Sequence, residues 1–152
     1  MRIGIISDTH GLLRPEVLDV FRGVDHIVHA GDIGGEHVLR GLREIAPVTY
    51  VGGNNDEASE GYDIVRLSLG PLRILLTHIL PGPDNPGPHV RESLKSAAAD
   101  LVIFGHSHQP CHVVVGGIAF FNPGSAGPRR FRNPICVGMW EESSLSHVTL
   151  VV

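Results

Sequence analysis

The sequence predicts an α/β fold in which two β-sheets pack together with helices outside, forming one domain over residues 1–152. Three observations predict it. The first third alternates strand-like apolar runs with helical stripes, in the order βαβαβ, which favours parallel strands and right-handed crossovers. The remainder is rich in strand-like runs joined at Gly and Pro, which calls for a second sheet. Successive apolar runs also end in Asp, Asn or His, the residue types that bind ligands where strand ends converge.

Taken in order, Arg2–Asp8 reads as a central strand, with Gly4 where another group can come close. Pro15 suits a first helical turn, and Leu13, Val17, Leu18 and Phe21 make one apolar stripe. A strand over His26–Ala30 runs into Gly31-Asp32. Val38, Leu39, Leu42 and Ile45 then mark a second helix that Pro47 stops. A third strand, Val48–Val51, leads to Gly52-Gly53-Asn54-Asn55-Asp56. Asp63–Leu69 and Leu72–Thr77 form a hairpin turned at Gly70-Pro71, and the second arm ends in His78. Pro81–Pro88 is nearly all turn formers and reads as a loop, followed by a short helix over His89–Ala98. The run Asp100–Phe104 is a buried strand that ends in Gly105-His106-Ser107-His108. The sequence continues with strands at CHVVV, IAFF, ICVGMW and HVTLVV, with Asn122-Pro123-Gly124-Ser125 as a tight turn.

Composition narrows the class. With 152 residues, 42 % of them hydrophobic and 18 % charged, the chain can build a real core. No apolar run reaches the ~18–20 residues of a membrane span, and the start MRIGIISDTHG does not read as a signal peptide. Cys111 and Cys136 ask for no disulfide and fit a reducing cytoplasm. A net charge of −4 gives no general field for nucleic acid, which argues against it as a partner.

The histidines carry more information. His106 and His108, at i and i+2, turn to the same side if the chain stays extended, and converging imidazoles indicate a transition-metal site. Asp8-Thr9-His10 repeats the device after the first strand. With Asp32, Asn54 and His78 also at strand ends, seven metal-ligand types meet at one crevice. Buried without partners they would cost several kcal/mol, and divalent cations balance that charge.

These blocks, Asp8-x-His10, Gly31-Asp32, Gly53-Asn54-Asn55-Asp56, Thr77-His78, Gly105-His106-Ser107-His108 and Asn122-Pro123-Gly124-Ser125, resemble in order those of the calcineurin-like metallophosphoesterases, in particular the small uncapped bacterial and archaeal phosphodiesterases. The resemblance implies a four-layer αββα sandwich of two mixed β-sheets and two divalent metal ions. Asp8, His10 and His108 would hold one, Asn54, His78 and His106 the other, and Asp32 would bridge them. Oxygen and imidazole ligands without thiolate suit Mn, Fe, Zn or Ni and do not choose among them. The implied reaction is hydrolysis of a small phosphate ester, a diester rather than a monoester, by a hydroxide shared between the ions. The rival is a non-catalytic interaction scaffold on the same fold, as in a retromer subunit, or a nucleic-acid phosphohydrolase.

Two residues depart from the family pattern. Asn55 stands where relatives often carry the His that protonates the leaving group, and an amide cannot do so near neutral pH. Ile79 follows His78 where Gly is usual, and Ile resists positive φ, which bears on that loop and on His78 as a ligand.

Simpler readings stand beside these. Asp8 and Asp32 suit helix N-caps, Asn54-Asn55-Asp56 a plain turn, and His78 a satisfied core histidine. His26, His29, His37, His112 and His147 read as structural. Arg129, Arg130 and Arg132 read as a solvated face, with Arg129 the candidate phosphate contact. Exposed late strands allow a homodimer.

Overall fold

In the computed structural model, which describes residues 1–152, strands β1 (Arg2–Ile6), β2 (His26–His29) and β3 (Val48–Tyr50) alternate with helices α1 (Pro15–Val20) and α2 (Glu36–Arg43). Then come β4 (Val65–Leu69), β5 (Leu72–Leu76), α3 (Pro88–Ser96), β6 (Leu101–Ile103), β7 (Cys111–Val115), β8 (Ile118–Asn122), β9 (Cys136–Glu141) and β10 (Ser144–Thr149). One sheet has the order β10-β9-β1-β2-β3, with β1, β2 and β3 parallel and β9 antiparallel to both neighbours. The other has the order β4-β5-β6-β8-β7, with β5, β6 and β8 parallel between two antiparallel edge strands.

Alternation along each strand makes the layers, because successive side chains point to opposite faces. Ile3, Ile5 and Val28 of the first sheet meet Ile74, Leu76, Leu101, Ile103 and Phe121 of the second in a shared core. Ile6 and Ile27, on the opposite face of the first sheet, pack with Val17, Phe21, Val38, Leu39 and Leu42 from α1 and α2. Leu75, Val102 and Phe120 pack outward on Val90 of α3. The result is the four-layer αββα sandwich of two mixed sheets. Gly4 earns its place, since a Cβ there would come within 2.9 Å of the Phe21 ring.

The last hairpin is the largest departure from the sequence reading. The final strand is Ser144–Thr149, beginning three residues before HVTLVV. Its turn uses Glu142 and Ser143 at φ 50° and 64°, a left-handed pair that hairpins usually fill with Asn or Gly. The first strand also stops earlier than expected, at Ile6, because Asp8 takes φ 55° and leaves the sheet. No helix is long and apolar enough to cross a membrane.

Candidate metal centre

The parallel strands of both sheets deliver their C-terminal loops to one edge. There the loop after β1 is laced to the loop after β2: the amides of Asp8, His10 and Gly11 donate to the carbonyls of Gly31, Asp32 and Ile33 at 3.0, 2.9 and 2.8 Å. From the other sheet, the Gly105 amide donates to the His78 carbonyl at 3.0 Å, and the His106 amide donates to Asp8 Oδ2 at 3.1 Å. Gly105 is obligatory at this crossing, because a Cβ would lie 2.1 Å from Ser7 Oγ and 2.8 Å from Asp8 Oδ2.

The predicted ligands come together as two groups. Ligand atoms of Asp8, His10 and His108 lie within 4.8 Å of one another, and so do those of Asp32, His78 and His106. Asn54 joins the second group, its Oδ1 2.9 Å from His78 Nε2 and 3.0 Å from His106 Nδ1. Asp32 Oδ2 faces both groups, 3.6 Å from His10 Nε2 and 3.2 Å from His78 Nε2. Neither Asp is a helix cap: α1 and α2 have Arg14 and Gly35 at that position, without side-chain capping bonds.

His106 and His108 join the two separate groups that the resemblance implies, but not through the extended backbone that the sequence suggests. The chain there is not extended; both residues are left-handed, at φ 71° and 62°. The Ser107 amide donates back to the Gly105 carbonyl at 2.9 Å and tightens the loop. The two rings therefore part, and each serves a different group. His78, by contrast, is securely placed despite Ile79. The Ile79 amide donates to the Gly61 carbonyl at 2.9 Å, and its side chain fills the space that Gly61, at φ 92°, leaves open.

The hydrogens on the imidazoles bear on what the two groups could hold. His78 Nδ1 must carry a hydrogen, since it contacts the Ala30 carbonyl at 2.7 Å and a carbonyl only accepts. In the neutral ring Nε2 then has a lone pair, aimed at the lone pairs of Asn54 Oδ1 and Asp32 Oδ2. His10 Nε2 and His108 Nε2 lie 3.3 Å apart. Asp8 Oδ1 is buried with no hydrogen bond, ringed by Nε2 of His108, His10 and His78 at 3.3, 3.7 and 3.9 Å. Around a cation with ligands at ~2.0–2.2 Å, ligand atoms sit roughly 3.0–3.5 Å apart. The donor set and its spacing fit divalent cations.

Electrostatics agree. Burial pushes the Asp8 carboxyl up, but His10, His108, His78 and Ser7 outweigh it and hold the group below the usual carboxylate range. Burial also opposes ionisation of Asp32, yet His78 and the two Asn55 donors bring its pKa down to about 2. Both are anions at neutral pH. For His78, burial lowers the pKa, and the carboxylates of Asp32 and Asp8 reverse the direction and raise it.

A set of buttresses surrounds the ligands. His29 is fully buried and stays neutral, burial driving its pKa down to about 4. Its Nδ1 accepts from the Gly31 amide at 3.1 Å, so Nε2 carries the hydrogen and donates to Thr9 Oγ1 at 3.0 Å. Thr9 in turn donates to the Ile33 carbonyl at 2.8 Å. Asp56 accepts from the amides of Ile33, Gly34 and Gly53, and Asn122 donates to the Gly105 carbonyl and Ser107 Oγ. Of these, Asn122 belongs to a block that the resemblance already names, whereas Thr9 and Asp56 have no role of their own in the sequence reading. Their signal was adjacency: each polar residue lies inside a block that already held a ligand or a turn.

Two further candidates are placed differently from the ligands. Asn55 donates its backbone amide to Asp32 Oδ1 and its side-chain Nδ2 to Asp32 Oδ2, both at 2.9 Å. Arg129 folds onto its own loop, Nη1 donating to the Asn133 carbonyl at 3.1 Å, and has no bond to the ligand groups. The structural histidines are bonded as such; His26 pairs with Thr49, His37 with the Gly11 carbonyl and His147 with the Asn122 carbonyl.

Comparison with known proteins follows the same lines. Residues 1–144 match the model of the calcineurin-like phosphoesterase superfamily domain. A protein of Methanothermobacter thermautotrophicus named "Probable metallophosphoesterase" is 37 % identical over 142 aligned positions, covering 88 % of this chain and 82 % of that one. Phosphodiesterase YfcE of Escherichia coli K12 is 29 % identical, covering 99 % and 92 %. The crystal structure of a Vps29 variant from Entamoeba histolytica superposes with a TM-score of 0.75 at 22 % identity over 99 % of this chain and 98 % of that one, a likeness of fold.

Proposed function

The chain belongs to the calcineurin-like phosphoesterase superfamily, and from that premise we propose that it hydrolyses small phosphate diesters with two divalent cations. One observation carries the reading: Asp8 Oδ1 is buried and without a hydrogen bond inside a ring of imidazole nitrogens from His108, His10 and His78. Asp8, His10 and His108 would hold one cation, Asn54, His78 and His106 the other, with Asp32 between. When bound, such a pair supplies an activated water at neutral pH and positive charge for the phosphate oxygens. The donor set suits Mn, Fe, Zn or Ni. Every ligand position is filled, which supports catalysis over the scaffold reading.

The chain's own part is positioning. Asp32 fixes the separation of the two groups and is itself pinned by Asn55. Ser7 and the His106 amide hold Asp8 Oδ2, leaving Oδ1 free to bind. Arg129 is the candidate contact to a substrate phosphate once released from Asn133. Asn55 has no proton to give a leaving alkoxide and its amide is spent on Asp32, so diesters with acidic leaving groups should be preferred. With kcat/KM measured on matched aryl and alkyl diesters, the aryl ester is expected to be far the better substrate; equal rates would sink the preference. Free thiols at Cys111 and Cys136 support a reducing cytoplasmic setting, and Val113 and Val114, exposed on edge strand β7, support a homodimer.

A further inference from the structure

The loop between β8 and β9 has a feature that neither metal binding nor packing explains. Phe131 is 93 % exposed, and it is left-handed at φ 55°. A bulky aromatic residue at positive φ is an outlier, and full exposure removes the burial that would offset it. The conformation is nevertheless fixed. The Asn133 amide donates to the Arg130 carbonyl at 3.2 Å, closing a turn with Phe131 at its first central position, where a left-handed φ usually calls for Gly. Arg129 braces the turn through the Asn133 carbonyl.

Charge is concentrated at the same place. Arg129, Arg130 and Arg132 flank the ring, and no acidic residue occurs from Pro123 to Trp140. None of the three arginines has an ion pair, whereas Arg2, Arg22, Arg43 and Arg73 elsewhere do. The net charge of −4 therefore hides a local excess of three positive charges around an exposed ring.

The root of this loop is fastened to the metal centre. Ser125 Oγ donates to the Asp8 carbonyl at 3.1 Å, and Arg14 Nη2 donates to the Gly127 carbonyl at 3.1 Å. A Cβ at Gly127 would lie 2.4 Å from the Asp8 and Thr9 carbonyl oxygens, so the loop leaves directly from the ligand-bearing backbone. Phe131 lies four residues along the chain from Gly127, which limits their separation to about 14 Å.

We propose that loop 128–134 is a recognition arm for single-stranded nucleic acid or its short fragments, with a base stacked on Phe131 and backbone phosphates on Arg130 and Arg132. A cationic track interleaved with an aromatic face is the general chemistry of single-strand binding. The root at Asp8 would present a neighbouring phosphodiester to the ligand groups. This inference rests on the phosphodiesterase reading for its consequence, though not for the binding itself. An anionic membrane also attracts Arg and Phe, but a surface-seated arm would not need its root at the hydrolytic centre.

The test is fluorescence anisotropy of a labelled dT8 oligonucleotide with the full chain in EDTA, where no hydrolysis occurs. The wild type is expected to bind with a salt-dependent affinity. Phe131→Ala should weaken binding roughly tenfold, and Arg130→Ala with Arg132→Ala should reduce the salt slope by roughly 1–2. Unchanged thermal melting of these exposed-loop variants checks that the fold is intact. Equal binding by wild type and both variants overturns the proposal, and so does wild-type binding to phosphatidylserine vesicles but not to dT8. Turnover of an aryl diester by the metal-loaded wild type is measured in parallel. If it is absent while dT8 binds, the hydrolase reading fails and the arm stands; if it is present without dT8 binding, the reverse holds.

Discussion

The two ligand groups share Asp32 but are held by different means. Asp8, His10 and His108 are all left-handed, at φ 55°, 46° and 62°, whereas of Asn54, His78 and His106 only His106 is. Residues in that region cost about 1–3 kcal/mol each unless their surroundings fix them. The first group is fixed through its backbone, by the amide ladder between the β1 and β2 loops and by Ser125 on the Asp8 carbonyl. Its carboxylate oxygen Asp8 Oδ1 is left without a hydrogen-bond partner. The second group is fixed through side chains, with His78 and His106 both on Asn54 Oδ1 and Asn55 clasping Asp32. The first half is held by its backbone, with Asp8 Oδ1 left free of hydrogen bonds. The second half is held by its side chains, with Asn55 on Asp32 and the Ala30 carbonyl on His78.

The largest effect should come from breaking what the halves share. Asp32→Asn is expected to lower kcat/KM by roughly 10³-fold or more and to empty or disorder both sites. Asp8→Asn should abolish only the cation of the first group, so metal analysis of the two purified variants after manganese loading separates the roles. Equal metal content in both would contradict the division.

A smaller effect tests the two modes of support. Ser7→Ala removes one hydrogen bond to Asp8, and Asn55→Ala removes the side-chain bond to Asp32. Loss of such outer partners typically weakens metal binding by about 10–100-fold. Titration calorimetry should show the Ser7 variant altered at one site and the Asn55 variant at both.

The smallest effect is one of pH. His29 couples the β1 and β2 loops as a neutral ring, and its pKa is lowered by burial to about 4. The unfolded chain takes up that proton near the ordinary histidine value, so the stability tied to neutral His29 is whole above about 6.5 and is lost as pH falls towards about 4. Nitrogen-resolved NMR of the imidazoles should find His29 as the Nε2–H tautomer through pH 5; a ring that titrates near 6.5 would remove this support from the account.

Much of this was legible in the letters because strand ends carry chemistry at fixed places. Asp8, Asp32, Asn54, His78, His106 and His108 each follow an apolar run, and parallel strands bring such ends together. The αββα layering was legible for a related reason: runs such as ILL (residues 74–76) and LVI are apolar on both faces, as strands between a sheet and a helix must be. The backbone at the site was not legible. Nothing in Asp8, His10 or His108 announces positive φ, because tertiary contacts enforce it against local preference. The same holds for Glu142-Ser143, a left-handed turn with no glycine. Nor could spacing foretell that Asn55 would spend its amide on Asp32, or that Phe131 would stand in solvent.

The most direct test of the paired-cation centre is anomalous diffraction from crystals of the manganese-loaded protein. Two peaks per chain are expected, one among Asp8, His10 and His108 and one among Asn54, His78 and His106, both in contact with Asp32. Saturating manganese that leaves this cup empty, or that appears only elsewhere on the chain, would contradict the account.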